Sequence, residues 1–123
     1  MINLPWPPKQ LSPNARVHWK MKSAFAKRYR NTCKVICLSE KLTAPKTEGK
    51  LHLWITFFPP DKRKRDDDNM IASFKAGRDG IADALGIDDS LFVTHPFVSH
   101  EKGEDFEKGG HVKVVITEGP NDV

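Results

Sequence analysis

Lys62-Arg63-Lys64-Arg65-Asp66-Asp67-Asp68-Asn69 sets four cations directly against three carboxylates. Adjacent like charges repel, so each block calls for something to grip. Carboxylates hold hard divalent cations, and a basic run holds a phosphate backbone. Asp66 and Asp68 lie two apart, so in an extended chain both side chains leave on one side and can share an ion. The competing reading for Asp68 is the N-cap of the helix that follows, and for Asp67 a solvated surface charge. A second acidic pair, Asp88-Asp89, comes after that helix, where turn chemistry competes. Carboxylates at both ends of one helix, beside a basic run, point to a metal-dependent site acting on nucleic acid.

The elements that must position these groups follow from spacing. Residues 2–6 read as a short strand halted by Pro5, Pro7 and Pro8, and 9–16 as a loop. From about Lys20 to Leu42 no Gly or Pro intervenes, and Phe25, Tyr29, Thr32 and Ile36 recur at helical spacing. Lys27, Arg30, Lys34 and Lys41 share another side of that helix, either as a solvated face or as a stripe along DNA phosphates. After a linker over 43–49, residues 50–58 alternate: Leu51, Leu53, Ile55 and Phe57 one way, His52, Trp54, Thr56 and Phe58 the other. Bulk on both faces predicts a strand that lies centrally or has its second face covered. Met70, Phe74, Gly77, Ile81 and Leu85 predict the buried stripe of one helix over 69–85, stopped by Gly86. Gly77 and Gly80 each cost about 1 kcal/mol against Ala in a helix, so a close neighbour is expected there. Strands are expected over 91–99 and 112–117, with a polar loop over 101–110 between them and a frayed tail from 118. The order gives a single α+β domain over 1–123, a small mixed sheet with two main helices.

Geometry constrains the acidic groups. A straight helix from Asn69 to Leu85 is about 25 Å long. Carboxylates beyond its two ends meet at one ion only if the loop after Gly86 folds back, or if Asp89 joins the Asp66/Asp68 pair of a second subunit. A two-fold dimer creates two such shared sites.

Composition sets the outer bounds. The chain has 123 residues, 29% of them charged, and a net charge of +4, with a sequence pI near 9.1. That balance suits an acidic partner such as nucleic acid. No apolar run approaches a membrane span, and the start, Met1-Ile2-Asn3-Leu4, is unlike a signal peptide; the expected location is the cytoplasm. The two cysteines, Cys33 and Cys37, fall in a predicted helix as core thiols rather than a disulfide or zinc site. The five histidines lack zinc spacing, and no P-loop, G-x-S-x-G or calcium-hand pattern occurs.

Leu4-Pro5-Trp6-Pro7-Pro8, Pro59-Pro60-Asp61-Lys62-Arg63-Lys64-Arg65-Asp66-Asp67-Asp68-Asn69 and Gly86-Ile87-Asp88-Asp89 resemble the RusA family. Its members are small Holliday junction resolvases encoded by phages and prophages. The likeness runs over nearly the whole chain. It implies a RusA-like homodimer in the bacterial host cell, an endodeoxyribonuclease that uses Mg²⁺, or Mn²⁺ in its place, to nick opposed strands of a four-way DNA junction. The family's acidic triad falls on Asp66, Asp68 and Asp89, with Asp88 an alternative to Asp89, and the dimer is implied to be needed for metal binding. The family pattern D-x-D-N-x-x-K places a catalytic lysine where this chain has Ala72. Lys75-Ala76-Gly77-Arg78-Asp79 matches the continuation K-x-x-x-D after a three-residue insertion, which puts Lys75 about 4.5 Å further along a similar face. Lys62, Arg63, Lys64 and Arg65, with Lys27, Arg30 and Lys34, are the expected backbone contacts. Alternatives are a non-catalytic junction-binding relative and a less selective nuclease of branched DNA.

Overall fold

The computed structural model describes residues 1–61, 67–99 and 110–120. It contains β1 (Ile2–Pro5), α1 (Trp19–Ser39), β2 (Leu51–Phe58), α2 (Asp67–Ser73), α3 (Lys75–Leu85), β3 (Phe92–Val98) and β4 (His111–Thr117). One-turn 3-10 segments sit at Lys9–Leu11 and Asp89–Leu91. The strands form one mixed sheet in the order β1-β4-β2-β3, giving the small α+β architecture expected. β2 is central, antiparallel to β4 and parallel to β3. The edge strands β1 and β3 carry Pro5 and Pro96, where a missing N–H is tolerated.

Alternation decides which face is buried. Leu51, Leu53, Ile55 and Phe57 join Ile2, Leu4, Val112 and Val114 in a continuous core. The helices cover this face. Tyr29, Cys33 and Cys37 from α1, Met70 from α2, and Phe74, Ile81 and Ala82 from the second crossover helix and its entry all belong to the same cluster. The stripe of α1 therefore runs 29-33-37, one residue off the expected one at its C-terminal half. Thr32 is half-buried and donates to the Arg28 carbonyl of its own helix at 2.9 Å, a bond that needs no partner element. Burial pushes the thiols of Cys33 and Cys37 up to about 12 and about 11, as inert core groups.

The segment expected as one helix over 69–85 is two. Phe74 stands between them at φ −89°, ψ 0°, and its N–H bonds the Ile71 carbonyl at 3.1 Å in a tightened turn. Its ring is the cause. It drops into the core, edge-on to Phe57 at 5.8 Å and to Tyr29 at 6.3 Å. Gly80 explains how α1 and α3 come so close: a Cβ there would run into the Arg30 backbone carbonyl and sit 3.0 Å from the Cys33 Cβ. Gly86 closes α3 in the left-handed conformation at φ 68°, with the Ile87 N–H on the Ala82 carbonyl at 3.1 Å. Among the described residues no helix is long and apolar enough to cross a membrane.

Candidate metal and nucleic-acid site

The two acidic groups are placed by one β-α-β crossover. The chain leaves the sheet after Phe58 through Pro59-Pro60, and Asp67 and Asp68 then occupy the first turn of α2. Negative charge is favourable there because the helix N-terminus presents unpaired N–H groups. The chain returns along α2 and α3 and enters β3 parallel to β2, with Phe92 opposite Leu51. The turn Asp89–Leu91 therefore lies at the start of β2, whereas α2 begins beyond its end. Seven steps along a strand cover about 23 Å. Within one protomer Asp68 and Asp89 belong to opposite ends of the sheet.

Carboxylate oxygens are the right donors for a hard cation such as Mg²⁺. Their placement is less simple: among the described residues no three His, Cys, Asp or Glu side chains gather around a common point. Asp66, together with Lys62, Arg63, Lys64 and Arg65, lies outside the described residues. The break at Phe74 means that the length of one straight helix does not set the distance between the two ends of the crossover.

Each remaining candidate has a definite environment. Asp88 caps the short turn, accepting the Ser90 N–H at 3.3 Å, and that bond holds its carboxyl below the usual carboxylate range. Asp89 is held by Arg78, whose guanidinium donates to its carboxylate at 3.2 Å and to its backbone carbonyl at 3.0 Å. Arg78 also donates to Thr94 Oγ1 at 3.0 Å and lies over the Phe92 ring. Every edge of that guanidinium is used to fix the segment that carries Asp89. Arg78 was not among the candidates, because nothing in sequence spacing ties a helix arginine to an aspartate three helical turns on; only the crossover does.

Lys75 projects from the first turn of α3 with three quarters of its side chain exposed, its Nζ 3.6 Å from Asp79. Ala72, where the resemblance to RusA would call for a lysine, is exposed on α2. Both border an open apolar cleft of about 330 Å³ between the crossover helices and β2–β3, with Ile71, Phe74 and Pro96 on its walls. Of the expected cationic stripe on α1, Lys27 is exposed and Lys34 half-buried. Arg30 is committed elsewhere: it makes a bidentate pair with Asp83 of α3 at 2.6 and 2.8 Å. The bonded guanidinium holds the Asp83 carboxyl below its usual range.

No family model matches the chain. An uncharacterized protein of Xylella fastidiosa (strain Temecula1 / ATCC 700964) is 49% identical over 119 residues, which cover 94% of this chain and 74% of that protein.

Proposed function

The chain belongs to the same family as that Xylella fastidiosa protein, and for it we propose a Mg²⁺-dependent, structure-specific endodeoxyribonuclease that resolves four-way DNA junctions as a homodimer, as in the RusA family it resembles. The observation that carries the reading is the acidic motif that opens α2, joined through one crossover to a second acidic pair. Asp66, Asp68 and Asp89 of the partner subunit would hold the ion. The separation of the two acidic ends within one protomer supports a ligand set completed by a second copy. Mg²⁺ bound there supplies acidity to a water and neutralises charge at the phosphate.

The chain's own residues do the rest. Lys62, Arg63, Lys64 and Arg65 grip the backbone before the scissile phosphate and carry no base information. Lys75, solvated in the first turn of α3, would stabilise charge on the same phosphate. Arg78 keeps Asp89 in one orientation. Specificity then rests on junction shape and deformability more than on base contacts.

Ala72 in the place of the family's lysine favours a second reading, a relative that binds junctions without cutting them. Incubation with four-way, three-way and linear DNA, with Mg²⁺ and with chelator, separates the two. Cleavage confined to the four-way junction and to Mg²⁺ is the expected result. Intact but bound junctions would establish the binder, and cuts in every branched substrate a less selective nuclease.

A further inference from the structure

The helices occupy one face of the sheet. Sheets that turn a face to water normally present polar residues on it. Here the outward face carries a column of rings. His52 stacks on His95 at 5.0 Å and 18°, His95 on Trp54 at 4.1 Å and 14°, and Trp54 on Phe97 at 6.1 Å and 8°. Register builds the column, because parallel β2 and β3 set Trp54 opposite His95 and Thr56 opposite Phe97, so rings from the two strands interleave. Its polar edges are satisfied inside the protomer: His52 Nδ1 lies 2.8 Å from His95 Nε2, and the Trp54 indole N–H donates to Thr117 Oγ1 at 2.8 Å. Phe58 stacks on His111 beside it at 4.6 Å, and Phe97 at the column's end is 53% exposed.

We propose that this face docks a second copy of the chain, sheet against sheet across a two-fold axis. The inference rests on the dimer of the proposed function and assigns it a surface. Charge selects the occupant. In a chain with 29% charged residues, Lys113 is the one Asp, Glu, Lys or Arg on the outward strand positions described. A phosphate backbone needs more cations than that, whereas a neutral face meets its own copy without repulsion. Edge-to-edge pairing is disfavoured. The Ser99 N–H donates to the Phe57 carbonyl at 2.9 Å, so by alternation Pro96 falls on the free edge of β3, where it offers no donor. The face measures about 19 by 23 Å, so two copies cover roughly 900 Å² before side-chain relief. That lies below the range of about 1,200–2,000 Å² typical of stable interfaces and fits a reversible dimer.

Sedimentation velocity on the full chain at micromolar concentration tests this. The wild type is expected at the mass of two chains. Phe97→Glu and Val115→Glu are expected to weaken self-association at least tenfold with unchanged circular dichroism, while Leu38→Glu, on α1, leaves it intact. Two substitutions guard against one that fails to fold. A dimer that survives both overturns the assigned face and leaves the proposed function standing. A single-chain wild type overturns the face and the dimer together, even if it cuts junctions. Uptake of single-stranded oligonucleotide by a monomeric wild type, lost in Phe97→Glu, would also overturn docking of a second copy.

Discussion

Replacing Arg78 with Met keeps the aliphatic stem and removes the guanidinium. The lost contacts are the ion pair to Asp89, bonds to the Asp89 and Phe92 carbonyls at 3.0 and 3.4 Å, and the bond to Thr94 at 3.0 Å. The pair is part-exposed, 25% for Arg78 and 38% for Asp89, so solvent screens much of its Coulomb energy. Bonds to a charged donor contribute about 1.5–3 kcal/mol when buried, and halving that for exposure leaves roughly 2 kcal/mol for the cluster. In a domain of this size the melting temperature is expected to fall by about 6–8 °C. Freed from its orienting partner, Asp89 should bind an ion less well; loss of a group that orients a ligand typically costs about 10–100-fold in metal affinity. Differential scanning calorimetry reads the first quantity, and Mg²⁺ titration of junction cleavage the second, with high Mg²⁺ restoring the rate. A variant that melts within a degree or so of wild type would refute the clamp. One that melts lower but keeps the wild-type Mg²⁺ dependence would make Arg78 structural only.

Gly80→Ala gains about 1 kcal/mol of helix propensity but forces a methyl into the Arg30 carbonyl of α1, so a net loss of about 1–3 kcal/mol is expected from the urea midpoint. The Asp83 carboxyl titrates lower in the folded chain than unfolded, so its contribution is present above about pH 4 and is lost as pH falls through the folded value. Melting temperatures from pH 5 to pH 2 should therefore drop less steeply in Asp83→Asn, by an amount worth under about 1 kcal/mol for so exposed a pair. Mixing Asp68→Asn with Asp89→Asn subunits should restore nicking that neither variant has alone, since a shared site leaves one intact centre per mixed dimer; no recovery would place all ligands in one protomer.

Much of the fold was legible because it rests on alternation and punctuation. Leu51 to Phe57 announced β2, and Gly86 marked the end of α3 as expected. The kink at Phe74 was not legible, since a 3.6-residue period runs through it unbroken; only the Tyr29 and Phe57 rings that receive Phe74 reveal why the turn tightens. The stripe of α1 was misread because Cys33 and Cys37 count weakly in an apolar pattern, although both are fully buried. The acidic groups were found by type and spacing. Their separation was read from the length of one straight helix, a premise the break at Phe74 overturns; what the parallel register shows is that the Asp89 turn lies at the start of β2. Arg30 was read as a DNA contact from charge alone, and its engagement with Asp83 depends on a helix crossing that sequence does not encode locally.

The most direct test labels each strand of a four-way junction in turn and maps the products of wild type and Asp68→Asn on a denaturing gel. Symmetric nicks in two opposed strands are expected from the wild type with Mg²⁺, and a junction bound but uncut from Asp68→Asn. An uncut junction with wild type, or nicks that persist in Asp68→Asn, would contradict the proposed function.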